Sequence, residues 1–194
     1  MVKTNRLEGL KYLKNQKLPV PDFLIVKSIS VLNDKFFNKQ APFGWTLRTC
    51  KKSGQDEISL FYKNNISLYI LKKTLFNRLN KYSDEFYVVY PSWDFDFSFN
   101  ILKTRYEYII EGEMGSQKVI SSGIKNPNFT IIVNSQDLRI KSLQSNLIPK
   151  IRTGIFRALK LLAKNIYLKT YYTEVVITKE KQLYFYEFRD IERL

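Results

Sequence analysis

Near its C-terminus the chain runs Thr173-Glu174-Val175-Val176-Ile177-Thr178-Lys179-Glu180-Lys181-Gln182-Leu183-Tyr184-Phe185-Tyr186-Glu187-Phe188-Arg189. β-Branched and aromatic residues dominate Thr173–Thr178 and Gln182–Phe188, and a short polar turn separates them, so the two runs read as the strands of a terminal hairpin. Side chains two apart on a strand share a face, which puts Glu187 and Arg189 together, and hairpin pairing brings Glu174 alongside. Neighbouring carboxylates repel. A hard cation such as Mg²⁺, which prefers oxygen ligands and bridges to substrate phosphates, relieves that repulsion, and an arginine beside it can hold a phosphate bidentately. The same spacing also suits solvated strand residues or cross-strand ion-pair partners.

Working back from the hairpin, Leu147 to Leu168 sets Ile148, Ile151, Ile155, Leu159, Leu162 and Ile166 at helical spacing, with Lys150, Arg157, Lys160 and Lys164 lining another face. Phe129–Val133, Lys118–Ser121, Tyr106–Gly112, Phe95–Leu102 and Phe86–Tyr90 read as strands, the last stopping at Pro91. A helical period returns over Ser67–Tyr82 through Leu68, Leu71, Leu75 and Leu79. Earlier still, Ile58–Tyr62, Gly44–Cys50 and Phe23–Val26 are strand-like, and Leu7, Leu10, Leu13 and Leu18 mark an amphipathic helix over Thr4–Lys17 that Pro19 and Pro21 terminate. Helices and hairpins alternate without a regular βαβ rhythm, so an α+β fold is expected. A weak boundary near Pro91 suggests lobes 1–90 and 91–194 within one unit, 1–194.

The chain of 194 residues carries 32 Lys+Arg against 18 Asp+Glu, a formal charge of +14, and contains no histidine. That zero excludes Ser-His-Asp and Cys-His catalysis, a histidine metal site and a phosphohistidine relay within the chain. Cys50 is the single cysteine, which rules out an internal disulfide and fits a reducing, cytoplasmic location. No stretch approaches the roughly 18 apolar residues that cross a bilayer, and no secretion-signal pattern opens the sequence. The positive charge predicts a polyanionic partner: a nucleotide, a nucleic acid or an anionic surface. Between Leu138 and Thr173 there are eight basic residues and no acidic one, so the helix 147–168 is the segment where a nucleic-acid backbone would bind. Leu47-Arg48-Thr49-Cys50-Lys51-Lys52-Ser53-Gly54 leads from a strand into a glycine-containing basic loop, where backbone N–H groups can cradle phosphate, although the P-loop pattern is absent.

Several segments together resemble the ATP-binding domain of the phosphoenolpyruvate synthase and pyruvate phosphate dikinase family, which has an ATP-grasp-type fold. Arg6 to Pro21 matches that family's KGxxLxxLxxxGxPVP opening without a gap, and Leu47-Arg48-Thr49-Cys50 resembles its VRSS strand. Gly115 to Gly123 is similar to GLGExVVSG, and Asn126-Pro127-Asn128 follows where the family has xPD. The terminal hairpin looks like DxEWAxxxxGxLYxLQxRP, with Glu174 on the EW glutamate, Leu183-Tyr184 on LY, Glu187 on the glutamine and Arg189 on the arginine.

The resemblance implies two small lobes of antiparallel sheet with packed helices, binding ATP and Mg²⁺. It implies Glu174 and Glu187 as metal ligands, Arg48 and Arg189 as catalytic cations on the transferred phosphoryl group, and Arg6, Arg48 and Lys118 as nucleotide-binding residues. Tyr87 and Val89, in Tyr87–Tyr90, would stand near the adenine. The sequence departs from the family pattern at Lys118, which replaces the glutamate of GLGE, at Gln117, which replaces a glycine, at Asp190, which replaces a proline, and at Lys51-Lys52, where the family is acidic. The expected function is therefore a stand-alone Mg·ATP-binding domain, transferring phosphate, if active, to a separate acceptor protein or small molecule. The alternatives are a non-enzymatic nucleic-acid-binding protein or a degenerate regulatory subunit with the same fold.

Overall fold

The computed structural model describes residues 6–52, 60–115, 126–144 and 149–191. Among the described residues two compact units emerge, one made of residues 21–93 with 6–7, the other of residues 94–191 with 8–20.

The first helix, α1 (Arg6–Asn15), ends in a Schellman motif. Lys17 takes φ +57°, Leu18 N–H donates to the Leu13 carbonyl at 3.1 Å and Lys17 N–H to the Lys14 carbonyl at 3.0 Å. Pro19 then blocks any return to helix.

In the smaller unit β1 (Leu24–Val26), β2 (Trp45–Lys51), β3 (Tyr62–Ile66) and β4 (Glu85–Pro91) form an antiparallel sheet in the order β1-β4-β2-β3. Helix α2 (Leu68–Lys81) starts at Ser67, whose hydroxyl accepts from Ile70 N–H at 3.3 Å. It lays Leu71 and Leu75 against Trp45, Leu47, Tyr87 and Val89. Two short 3₁₀ turns, Ile29–Asn33 and Lys35–Asn38, add Leu32 and Phe37 to the same core. Of the strand expected over Ile58–Tyr62, residues 58 and 59 lie outside the described residues; the strand that is described runs from Tyr62 to Ile66, through Lys63-Asn64-Asn65, where the residues themselves carry little strand signal. Its pairing with β2 overrides their low propensity.

The larger unit is a six-stranded antiparallel sheet, β10-β9-β5-β6-β7-β8, built from β5 (Phe95–Lys103), β6 (Glu107–Met114), β7 (Phe129–Asn134), β8 (Ile140–Gln144), β9 (Tyr171–Thr178) and β10 (Leu183–Asp190). Strand β8 is one that periodicity did not mark, because four of its five residues face solvent. The expected strand Lys118–Ser121 lies outside the described residues.

One face of this sheet is covered by α3 (Pro149–Asn165) and by α1. Phe97, Phe99, Ile101, Tyr108, Ile110, Phe129, Ile131, Val175 and Phe185 point to it and meet Ile151, Ile155, Leu159 and Leu162 of α3. Helix α1 approaches β10 so closely that a Cβ on Gly9 would run into the Phe188 carbonyl, while Tyr12 stacks on the Phe188 ring at 4.6 Å. Because alternate residues point to opposite faces, the polar members of the same strands lie on the side away from α1 and α3.

A candidate cation and phosphate site on the second face of the larger sheet

That opposite side carries the hairpin carboxylates, with Glu187 3% exposed. Strand β10 has a bulge between Phe185 and Glu187. Phe185 packs in the core and so does Phe188; strict alternation would put them on opposite faces. The extra residue, Tyr186, resets the parity, so that Glu187 sits opposite Glu174 of β9 and Phe188 returns to the core. Beside the bulge, the buried Thr173 hydroxyl donates to the Glu187 carbonyl at 2.7 Å.

From Glu187 a polar row crosses the sheet: Glu187 pairs with Glu174, Glu174 with Asn100 of β5, and Asn100 with Glu111 of β6. Arg189, two residues beyond Glu187 on the same face, donates to Glu187 Oε1 from Nη2 at 2.6 Å and from Nε at 3.0 Å. Tyr172 donates its hydroxyl to Glu174 Oε1 at 2.9 Å. Burial and then the adjacent Glu174 charge hold the Tyr172 phenol well above its ordinary pKa, so it remains a donor. Burial alone would lower the Arg189 pKa; Glu187, with Glu174 and Tyr172 behind it, raises it instead.

Chemically this is an oxygen-rich patch, two carboxylates and one amide, with a guanidinium at its rim. Oxygen donors suit Mg²⁺ and leave no place for a soft metal. Among the described residues no group of three or more His, Cys, Asp and Glu could hold a metal ion, so a cation here would rest on the two carboxylates Glu174 and Glu187 with Asn100 as a neutral donor. Sequence reasoning found both glutamates and Arg189 but missed Asn100, Glu111 and Tyr172. The polar alternation Ser98, Asn100 inside an otherwise apolar strand was the available signal; what it lacked was the partner, since β5 lies between β9 and β6 and both pairings are set by the tertiary fold.

The other expected residues belong to the smaller unit. Arg48 of β2 lies opposite Tyr62, with its guanidinium 5.4 Å from that ring, on the sheet face away from α2. Arg6 donates from Nη1 to the Thr49 carbonyl at 3.2 Å, which ties it to the strand that carries Arg48. Tyr87 and Val89 correct an expectation. Both side chains are 0% exposed under α2, and the Tyr87 hydroxyl donates to Glu85 Oε2 at 2.6 Å, so neither side chain can pack on an adenine. Strand parity decides this: the residues of β4 that point the other way are Phe86, Val88 and Tyr90. Lys118 lies outside the described residues.

Sequence reasoning also passed over Glu85, 5% exposed, which accepts two hydrogen bonds from Arg78 Nη2 (2.7 and 3.0 Å) and one from its Nε, besides that from Tyr87. With Arg78 sandwiched between Phe61 and Tyr82, this is a structural clasp of the smaller unit.

No helix among the described residues is long and apolar enough to cross a membrane. No family model matches the chain, and no curated protein matches it in sequence. Solved structures do. An ADP complex of N5-carboxyaminoimidazole ribonucleotide synthetase superposes with a TM-score of 0.63 at 13% identity, over 96% of this chain and 44% of that one. The related synthetase from Staphylococcus aureus, complexed with ADP, gives 0.60 at 17% identity over 97% and 45%. D-alanyl-alanine synthetase A from Vibrio cholerae gives 0.54 at 12% identity over 96% and 55%. The chain thus spans a little under half the length of the two synthetases. With two antiparallel sheets, each packed by helices, and with these likenesses over nearly its whole length, the chain has the ATP-grasp fold.

Proposed function

We propose that this chain is a Mg·ATP-binding module whose cation is held by Glu174 and Glu187, with phosphotransfer to an acceptor that is a separate protein or small molecule. The observation that carries the reading is the bulge in β10, which turns Glu187 to the face of Glu174 and Arg189 in a chain whose fold is shared with ADP-bound synthetases. A divalent ion bound there would neutralise two facing carboxylates and polarise phosphate oxygens. Arg189 presents a guanidinium at the rim of that patch, 46% exposed, able to turn from Glu187 to a phosphate oxygen. Arg48 and Arg6, linked through β2, are the cations of the smaller unit that this reading assigns to the nucleotide, and Lys118, outside the described residues, is assigned to it as well. Catalysis, on this reading, is positional and electrostatic, with developing charge on the transferred group met by Arg189.

The finer kinship with the phosphoenolpyruvate synthase and pyruvate phosphate dikinase family belongs to the same proposal. It is supported by the gap-free Arg6–Pro21 segment, whose motif glycine falls on Lys17, the residue that takes the left-handed conformation.

Calorimetric titration of Mg·ATP into the wild type and Glu187→Ala tests the reading. Saturable heat in the wild type, reduced at least tenfold in affinity in the variant, is expected. An absence of binding by the wild type at millimolar Mg·ATP overturns it.

A further inference from the structure

The nucleotide site does not use the most concentrated positive charge of the chain. Several cations elsewhere sit beside carboxylates: Lys51 on Asp84, Arg78 on Glu85, Lys141 on Glu107, Lys179 on Asp94 and Lys181 on Asp96. The cations of α3 are not of this kind. Arg152, Arg157, Lys160 and Lys164 are all exposed, and among the described residues none forms an ion pair. The sequence singles out this helix through Lys150, Arg157, Lys160 and Lys164. The structure adds Arg152 and, with it, an apolar element.

Phe156 and Leu161 are only partly covered. With Arg152, Thr153, Arg157 and Lys160 they line a depression of about 550 Å³ on the solvent side of α3. The Arg152 guanidinium stands 5.9 Å from the Phe156 ring. Arg157 is steadied by donating from Nη1 to the Lys181 carbonyl at 3.2 Å. Arg152, Phe156, Lys160 and Lys164 recur every four residues, so they follow one side of the helix for about 18 Å at 1.5 Å per residue. Past the helix end Tyr167 is 87% exposed, and its hydroxyl donates back to the Lys164 carbonyl at 3.3 Å. The line therefore reads cation, aromatic, cation, cation, aromatic.

From this surface we infer that the solvent face of α3 binds single-stranded nucleic acid. Cations spaced along a helix with no acidic neighbour match a flexible phosphate backbone, and the π-faces of Phe156 and Tyr167 offer stacking to unpaired bases. A duplex hides those faces inside its own stack. An acidic peptide would use the charge and leave the rings without a matching partner. Phosphate contacts supply affinity that falls with salt, and the rings supply the preference for single strands.

Fluorescence anisotropy with a labelled single-stranded oligoribonucleotide of about a dozen nucleotides, added to the full chain at about 50 to about 200 mM salt, reads this directly. Binding is expected to weaken with salt, and Arg152→Ala/Arg157→Ala/Lys160→Ala is expected to flatten the log–log slope by about two. Phe156→Ala, which keeps every charge, is expected to weaken binding about tenfold. Removing three exposed lysines of the smaller unit, Lys35, Lys73 and Lys81, should leave affinity within twofold. Circular dichroism identifies any variant that fails to fold, and the Phe156 and triple variants test the idea separately.

The inference is overturned if the oligonucleotide does not bind at low salt, or if both α3 variants bind as the wild type does. It is equally overturned if the duplex form or poly-glutamate competes as well as the single strand, or if Mg·ATP displaces the probe, since the charge is then read without the bases or in the nucleotide site. Failure of Mg·ATP binding leaves this surface untouched, so the two proposals stand or fall apart.

Discussion

Arg189 folds back on its own strand so that Nη2 and Nε stand 2.6 and 3.0 Å from one oxygen of Glu187, a side chain only 4% exposed. Facing it across the hairpin is a second carboxylate, Glu174. Loss of the guanidinium leaves two carboxylates opposed without that counter-ion. Arg189→Ala is expected to lower stability by about 1–3 kcal/mol at neutral pH, toward the low end because Arg189 itself is half exposed. Arg189→Lys should recover only part, since an ammonium cannot place two N–H groups in a fixed fork. Urea unfolding with and without millimolar Mg²⁺ checks both points: if the hairpin holds a cation, Mg²⁺ raises the midpoint of Arg189→Ala more than that of the wild type.

Lys17 holds the left-handed conformation that ends α1, at φ +57°. For a residue with a Cβ this conformation costs on the order of 1 kcal/mol, and glycine escapes that cost. Its amide and that of Leu18 complete the Schellman motif, and a glycine preserves both bonds. Lys17→Gly is therefore expected to stabilise the protein by roughly 0.5–1 kcal/mol despite the added freedom of the unfolded chain, and thermal unfolding will show it as a higher Tm.

That residue also shows how far the sequence can be read. Leucines at helical spacing followed by two prolines are enough to place α1 and its end, because helix periodicity and proline sterics are local. The hairpin is legible for the same reason, since its strands are neighbours in sequence, but spacing alone would pair Glu174 with Tyr186, and it is the bulge that sets Glu187 opposite Glu174. Tyr87 and Val89 fail because a buried strand is apolar on both faces, and nothing local says which parity lies under α2. Asn100 and Glu111 escape for a third reason. Their place in the row depends on β5 being inserted between β9 and β6, a pairing over some seventy residues of chain on one side.

Two glycines test how tightly helices lie on the larger sheet. A Cβ at Gly9 meets backbone, the Phe188 carbonyl, which cannot yield without moving β10. At Gly154 the obstacle is the end of the Phe97 ring, 2.5 Å away, and the site is a helix interior where alanine is the better residue by about 1 kcal/mol. Gly9→Ala is expected to cost about 1–3 kcal/mol, and Gly154→Ala distinctly less, with repacking of Phe97 offset by helix propensity. Urea midpoints of the two variants give the order; a larger loss at Gly154 would mean that the Phe97 ring is as fixed as backbone.

In the smaller unit the Arg78–Glu85 pair is the place where charge matters most for folding. Side chains 17% and 5% exposed meet at 2.7 Å, and Lys51 Nζ adds a second cation 3.6 Å from Glu85. Arg78→Ala strips the main counter-ion and leaves a buried carboxylate, for an expected loss of about 3 kcal/mol. Arg78→Ala combined with Glu85→Gln removes the stranded charge, so the double variant should be more stable than Arg78→Ala alone. A double-mutant cycle in guanidinium chloride measures that sign.

Tyr171 and Tyr172 make stability fall on the alkaline side. Burial raises the phenol of each far above the ordinary 10.0; Tyr108 and Tyr12 add to the shift at Tyr171, and Glu174 adds to it at Tyr172. A raised pKa in the folded state means that the native protein keeps protons that the unfolded chain releases, so ∂ΔG/∂pH is negative. The contribution is fully present below about pH 10 and is lost as the pH climbs toward the folded values. Each phenol should account for roughly 1 kcal/mol of lost stability by about pH 11. Tyr172→Phe forfeits the hydrogen bond to Glu174 and is expected to be less stable than wild type by about 1 kcal/mol at about pH 8. Between about pH 8 and pH 11, however, it should lose less stability than the wild type does. Guanidinium chloride unfolding at both pH values separates the two effects. Equal losses in the variant and the wild type would mean that Tyr172 ionises in the folded protein, which its contact with the Glu174 carboxylate opposes.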